Sequence, residues 1–191
     1  MIRTSGARFR VSGTLLQGLA AVRRTRIEDE RGFFSRFFCA AELSEVGFDE
    51  PIAQINHTLT RRTGSVRGLH FQYPPYAEVK LVSCVRGKVW DVAVDIRRGS
   101  PTFMSWHAEL LTAENACSLL IPKGFAHGFQ ALTPDAELIY LHSAPYAAGA
   151  EGALNPRDPR LAIDWPLPFA DLSERDARHP MVDEGFLGIE L

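Results

Sequence analysis

The middle of the chain alternates between apolar and polar residues with the period of two that is typical of β-strands. In residues 88–96, Val89 and Ala93 are expected on one face, and Val92 and Val94 on the other. Turn signals built on Gly and Pro recur roughly every 8–12 residues, a spacing typical of sandwiches and barrels. The strands predicted in this way cover residues 80–86, 88–96, 102–111, 116–122 and 136–142.

Helical patterns are short and few. Residues 40–46 form the best helix candidate, which Gly47 ends. Residues 147–191 are rich in loop signals, including two Pro-containing stretches. No linker or repeat divides the chain, so the pattern predicts a single, mostly β domain over residues 1–191.

Composition narrows the classes of partner. The chain has 191 residues, 21 Lys and Arg against 23 Asp and Glu, and a net charge of −2. This balance offers no basic surface for nucleic acid or an anionic membrane, and no run of about 18 apolar residues predicts a membrane span. Cys39, Cys84 and Cys117 form no C-x-x-C pair, which favours a reducing cytoplasm.

Ionisable residues gather at three places on the predicted strands. These are residues 67–72, Lys80 at the start of an apolar strand, and residues 121–129, in which His127 lies among glycines and aromatics. Strict alternation in residues 67–72 puts Arg67 and His70 on opposite faces. Taken singly, each residue is also typical of a buried, hydrogen-bonded core position.

Two kinds of chemistry fit these residues. The first is a metal centre of the cupin type with His70, Glu78 and His127 as ligands, since imidazole and carboxylate suit Fe, Mn or Zn. Gln72 stands where a second histidine is expected, and the cation of Lys80 opposes a metal.

The second kind is acid–base chemistry without a metal. Here an imidazole takes a proton, an ammonium stabilises an enolate oxygen, and a phenol returns a proton from the other side. Spacing alone does not bring these groups together.

Eight motifs in order resemble one family, the dTDP-4-dehydrorhamnose 3,5-epimerases. The resemblance extends from Asp29 to Asp176. The motifs are DERGFF (29–34), QINHT (54–58), VRGLHFQYPP (66–75), KLV (80–82), VWDVAVDIR (89–97), GSPT (99–102), IPKGFAHGF (121–129) and LSERD (172–176).

The resemblance implies an all-β double-stranded β-helix, a cupin-like jelly roll, with short peripheral helices. It also implies a homodimer that exchanges N-terminal strands, and catalysis without metal or cofactor. The substrate class would be a dTDP-4-keto-6-deoxyhexose, inverted at C3, C5 or both. By resemblance, His70 is the general base, Asp176 orients it, Lys80 stabilises the enolate, and Tyr140 is the general acid.

Further positions resemble substrate contacts of the family, with Tyr146 packed against the base. The set is Arg31, Gln54, Asn56, Arg67, His127, Tyr146, Glu151 and Arg175. Departures at Arg36, Glu78-Val79 and Lys123 leave the nucleotide and the inverted carbon open. A metal-dependent cupin oxygenase or isomerase, and a sugar-nucleotide binding module without turnover, remain the alternatives.

Overall fold

The computed structural model describes residues 2–3 and 8–191 as two antiparallel β-sheets packed face to face, with short helices at the periphery. The strands are β1 (Ile2–Arg3), β2 (Phe9–Gly13), β3 (Ala20–Arg24), β4 (Arg26–Asp29), β5 (Gly32–Ser35), β6 (Gln54–Thr60), β7 (Ser65–Gln72), β8 (Lys80–Arg86), β9 (Lys88–Asp95), β10 (Trp106–Thr112), β11 (Cys117–Ile121), β12 (Phe125–Ala131), β13 (Ala136–His142), β14 (Glu151–Ala153) and β15 (Asp171–Leu172). The helices are α1 (Ala40–Ser44), α2 (Glu174–Ala177) and a 3-10 turn (Ala148–Ala150).

Strands that are distant in sequence lie side by side in both sheets. The seven-stranded sheet has the order β1-β2-β3-β11-β8-β13-β6. The six-stranded sheet has the order β10-β9-β12-β7-β14, with β15 parallel to β7. A separate hairpin consists of β4 and β5. The all-β class with short peripheral helices is confirmed.

Apolar residues form three layers, one between the sheets and one on each outer face. The inner layer includes Val89 and Ala93, whereas Val92 and Val94 belong to the outer face of the six-stranded sheet, as the alternation in β9 predicts. That outer face is covered by residues from the C-terminal segment, such as Leu161. Both faces of β9 are therefore buried.

Two predicted elements differ from the structure in length. The helix predicted at residues 40–46 ends at Ser44, and the strand predicted at 102–111 begins only at Trp106. Residues 101–104 form a turn instead, in which the hydroxyl of Thr102 donates a 2.7 Å hydrogen bond to Asp95 Oδ2. This local bond competes with strand pairing.

The segment after residue 147 is mostly irregular, as predicted, but it places α2 and β15 against β7. In the described part of the chain, α1 and α2 are only 5 and 4 residues long, and neither helix is suited to crossing a membrane.

Candidate active site

A bulge in β7 directs two polar side chains into the space between the sheets. His127 of β12 pairs with His70, and Phe129 pairs with Arg67, so a longer step in β7 faces a shorter step in β12. Arg67 and His70 therefore line the same cavity, and the prediction that they point to opposite faces is wrong. The physical reason is that an extra residue at a bulge breaks the period-two alternation.

The carboxylate of Asp176 contacts the imidazole of His70. His70 Nε2 lies 2.9 Å from Asp176 Oδ1, and the Gly68 N–H donates to Oδ2 at 3.3 Å. Ser173 caps α2 by accepting a 3.0 Å hydrogen bond from the Asp176 N–H. Burial acts to raise the pKa of Asp176, but the hydrogen bond to His70 and the charge on that ring lower it to about 2. Asp176 is thus an anion at neutral pH.

Lys80 begins β8 and is buried beside Glu78. Its Nζ lies 3.1 Å from Glu78 Oε1, and Glu78 Oε2 lies 3.1 Å from His142 Nδ1. Burial acts to raise the pKa of Glu78, but the hydrogen bond to His142 and the charge on Lys80 lower it overall. Glu78, which departs from the motif of the family that the sequence resembles, therefore places a buried anion next to Lys80.

Tyr140 on β13 enters the cavity from the seven-stranded sheet. Its ring centroid lies 6.0 Å from that of His127, edge to face, and 6.0 Å from that of His142, stacked. Burial, and then the negative charge of Asp91, raise the pKa of Tyr140 well above its usual value. The phenol keeps its proton at neutral pH and can donate it.

A second imidazole in the cavity is also held by a carboxylate. His127 Nε2 lies 2.9 Å from Asp91 Oδ1, and both side chains are buried. Burial is the main cause that raises the pKa of Asp91. The contact fixes the orientation of the His127 ring.

Polar groups from β6 and from the segment after β13 surround the opening of the cavity. Gln54 Oε1 accepts a hydrogen bond from the Tyr146 N–H at 2.9 Å, and the Tyr146 hydroxyl donates to Glu151 Oε2 at 3.1 Å. Arg175 Nη1 lies 3.3 Å from Glu151 Oε1. The cavity has a volume of about 290 Å³, and the predicted residues that line it are His70, Lys80, Tyr140, Gln54, Asn56, Arg67, His127, Tyr146, Glu151 and Arg175.

Arg31 is the predicted site residue that this chain does not bring to the cavity. It lies at the tip of the β4–β5 hairpin, where its side chain is 85% exposed and pairs with Asp29 at 2.6 Å. Asp176 lies behind His70 rather than in the cavity wall.

The ligands expected for a cupin-type metal centre do not form a cluster. Glu78 and His127 contact other partners, Lys80 and Asp91. In the described part of the chain, the donor atoms that gather around His70 belong to Asp176 and His179.

Comparison with known proteins identifies the family. A family model described as dTDP-4-dehydrorhamnose 3,5-epimerase matches residues 13–184. The chain belongs to this family. A dTDP-4-dehydrorhamnose 3,5-epimerase from Sinorhizobium fredii is 42% identical over 164 residues, which are 85% of this chain and 84% of the relative.

Two other similar proteins belong to the epimerase family. One has a sugar nucleotide bound in its crystal structure, and the other is named a 3-epimerase. A crystal structure of a dTDP-6-deoxy-D-glucose-3,5-epimerase from Legionella pneumophila, in complex with dTDP-4-keto-L-rhamnose, is 38% identical with a TM-score of 0.88 and covers 95% of this chain and 98% of that one. A relative from Streptomyces niveus named dTDP-4-dehydrorhamnose 3-epimerase is 38% identical over 162 residues, which are 84% of this chain and 78% of that relative.

Membership of the epimerase family confirms two predictions, the cupin-like jelly roll and the isomerase class. The comparisons support the epimerase function and do not support the metal-dependent oxygenase.

Three polar residues at the site were not singled out from the sequence. Asp91 lies in the strand predicted over residues 88–96, but alternation alone does not identify it as a partner of His127. His142 stands two residues after Tyr140 on the same strand, so the period of two was a usable signal. His179 lies in the irregular segment, where no pattern marks it. Burial, and next the charge on His70, lower the pKa of His179.

Proposed function

We propose that the protein inverts C3, C5 or both carbons of a dTDP-4-keto-6-deoxyhexose through an enolate. The observation that carries this proposal is the arrangement of the cavity, where the His70–Asp176 pair on one sheet faces Lys80 and Tyr140 on the other. The ligand of the Legionella pneumophila epimerase, dTDP-4-keto-L-rhamnose, supports this substrate class.

His70 acts as the general base in this proposal. Its Nε2 donates a proton in the hydrogen bond to Asp176 Oδ1, which leaves Nδ1 as the nitrogen that accepts a proton. The proton next to the C4 ketone moves to Nδ1, and the electron pair of the broken C–H bond moves to the C4 oxygen. Asp176 then stabilises the imidazolium that forms.

Lys80 and Tyr140 complete the cycle. The Lys80 ammonium stabilises the enolate oxygen, and the Tyr140 hydroxyl donates its proton to the carbon from the other face. The ketone re-forms, and solvent removes the proton from His70 and returns one to Tyr140. The raised pKa of Tyr140 supports this role, because the phenol must still hold its proton when the enolate appears.

The nucleotide binds at the opening of the cavity. Arg67 and Arg175 offer planar guanidinium groups suited to a diphosphate. Tyr146 is 56% exposed and presents an aromatic face for the base. Gln54, Asn56, Glu151 and His127 supply the remaining polar contacts.

A homodimer that exchanges N-terminal strands brings Arg31 of one chain to the cavity of the other. The exposed apolar side chains support this arrangement, because Phe33 and Phe34 on the Arg31 hairpin are 57% and 64% exposed. Ile55 on the edge strand β6 is 61% exposed. An open strand edge with apolar side chains is a pairing surface.

Mixing two inactive variants tests the exchange of Arg31. Arg31→Ala and His70→Asn chains are each expected to be inactive, whereas a mixed dimer combines an intact Arg31 with an intact His70 at one of its two sites. Activity should return to roughly a quarter of all sites in a random mixture. A mixture that forms mixed dimers but stays inactive would contradict the exchange.

The free cysteines agree with a reducing cytoplasm. Cys39, Cys84 and Cys117 carry no disulfide. Burial raises the pKa of Cys84 to about 11 and that of Cys117 to about 12, so both remain thiols.

Solvent deuterium exchange into a dTDP-4-keto-6-deoxyglucose, followed by NMR, tests the reaction. Deuterium at both C3 and C5 indicates double inversion, and deuterium at one carbon indicates a mono-epimerase. His70→Asn should abolish exchange at every carbon that it serves. Tyr140→Phe should preserve exchange but lose the inverted product. Folded protein that binds the nucleotide without exchange would instead be a binding module.

A further inference from the structure

An additional imidazole lies against the His70–Asp176 pair. The ring centroid of His179 is 6.0 Å from that of His70, with the planes at 80°. His179 Nε2 lies 3.7 Å from Asp176 Oδ1, and this buried nitrogen has no hydrogen-bond partner among the described residues. A buried polar atom without a hydrogen-bond partner is unfavourable, and a bound ion is one group that can satisfy it.

The three donor atoms have the spacing of a metal site. His70 Nε2 and Asp176 Oδ1 are 2.9 Å apart, and His179 Nε2 is 3.7 Å from the same oxygen. Each of the three residues offers one donor atom that lies within 4.8 Å of the other two. Around a tetrahedral Zn²⁺ with bonds of about 2.0–2.2 Å, ligand atoms lie roughly 3.3–3.6 Å apart. Small side-chain movements therefore suffice to reach coordination geometry.

We propose that His70, Asp176 and His179 bind a divalent transition-metal ion such as Zn²⁺, and that the bound ion inhibits the enzyme. Two imidazoles and one carboxylate are ligands that Zn²⁺ prefers, with the fourth position left to water. The Gly68 N–H that donates to Asp176 Oδ2 at 3.3 Å supports the carboxylate from behind. The ion is an inhibitor here, and the catalytic cycle does not use it.

Inhibition follows from the two nitrogens of His70. In the free enzyme Nε2 carries the proton and Nδ1 holds the lone pair that accepts the substrate proton. Coordination requires the lone pair on Nε2, so the proton of the neutral ring must move to Nδ1. Nδ1 can then no longer act as a base. This consequence rests on the proposed function of His70, whereas the metal site itself does not.

Arg175 competes with the metal for the same atoms. Its Nη2 lies 3.2 Å from His70 Nε2, and its Nε lies 3.6 Å from Asp176 Oδ1. The side chain is 57% exposed, so a metal can displace it toward solvent at an electrostatic cost. The site should therefore bind metal more tightly when this cation is removed.

Metal binding by the full-length protein, without substrate, tests the site. Co²⁺ is added as a spectroscopic probe for its visible absorption, and Zn²⁺ is titrated by calorimetry. His179→Gln should weaken Zn²⁺ binding by at least about 10-fold, because it removes a ligand. Arg175→Gln should tighten binding on the order of 10-fold. His57→Gln, at a histidine whose side chain is 58% exposed and pairs with Glu137, is the matched control.

Inhibition is then measured against the uninhibited rate of each variant. Zn²⁺ should slow wild type at saturating substrate, and His179→Gln should need a concentration about 10-fold higher for the same loss. Equal Zn²⁺ affinity of wild type and His179→Gln, or no binding to wild type and Arg175→Gln, would overturn the site. Tight binding without loss of exchange would overturn the inhibition alone. Absence of epimerase activity in metal-free protein would count against the proposed function and leave the binding result intact.

Discussion

At the scale of single residues, Lys80 has the most demanding role. A proton next to a ketone is far too weakly acidic for imidazole unless the enolate oxygen is stabilised by several kcal/mol. The Lys80 ammonium is buried, and its pairing with Glu78 at 3.1 Å holds it in the cavity wall. Because burial weakens screening by water, a fixed charge acts more strongly there than at the surface.

Lys80→Gln separates the two roles of this residue. We expect kcat to fall about 10²–10³-fold, because the enolate loses its cation. We also expect the free energy of unfolding to fall by about 1–3 kcal/mol, because Glu78 loses its ionic partner. Turnover of the keto-sugar and chemical denaturation measure the two effects.

The double variant Lys80→Gln/Glu78→Gln is the control for stability. It also removes the buried carboxylate that has lost its lysine partner, so stability should recover while kcat stays low. Recovery of both quantities would show that Lys80 supports the fold and does not assist the reaction.

At the scale of elements, the close approach of β7 and β12 at the bulge depends on two glycines. Gly68 has a φ of +116°, and a Cβ there would lie 2.5 Å from Gly128 Cα and 2.7 Å from the His127 oxygen. Both contacts are to backbone atoms, which cannot move aside like a flexible side chain. The backbone near the bulge thus requires glycine for conformation and for space.

Gly68→Ala is expected to destabilise the protein by about 1–3 kcal/mol and to reduce deuterium exchange, because β7 must shift and carries His70 with it. Thermal unfolding and NMR exchange measure the two changes. Gly13→Ala on β2 is the matched control, since a Cβ there meets nothing within 4 Å. Equal stability of the two alanine variants would refute this account of the bulge.

At the scale of the whole molecule, buried carboxylates link stability to acid. Asp95 accepts hydrogen bonds from Ser100 Oγ and Thr102 Oγ1 at 2.6 Å and 2.7 Å. Burial acts to raise its pKa, but these bonds and the one to Arg97 lower it to about 2. Asp176 has the same lowered value of about 2. Depressed carboxyl pKa values mean that the folded protein binds protons less readily than the unfolded chain.

The contribution of these two carboxylates to stability is therefore expected to be constant above about pH 4 and to fall as the pH drops toward 2, by roughly 2 kcal/mol for each of them. Denaturation at a series of pH values measures this slope. Asp95→Asn should lower stability at neutral pH and reduce the slope, whereas Asp164→Asn, at an exposed position, should change neither. A slope that Asp95→Asn leaves unchanged would contradict the assignment.

Features that depend on neighbouring residues in the chain could be predicted from the sequence, whereas features that depend on distant residues could not. Strands such as β9 were predictable because alternation is local, and α1 was predictable because Gly47 follows it. The motifs that contain His70 and Lys80 are likewise contiguous, so their resemblance to the epimerase family can be identified without knowledge of the fold. The prediction that Arg67 and His70 lie on opposite faces was wrong because a bulge depends on how β7 pairs with β12, which the sequence of β7 alone does not show.

By itself, the sequence determined the β class, the family and the residue types of the site. Only the tertiary structure decided which groups meet. Asp176 reaches His70 because α2 docks against β7, and Glu78 meets His142 because β8 pairs with β13. His179 lies against His70 and Asp176 for the same reason, because the C-terminal segment packs beside β7. Contacts between residues far apart in the chain depend on packing and register, which no local pattern encodes.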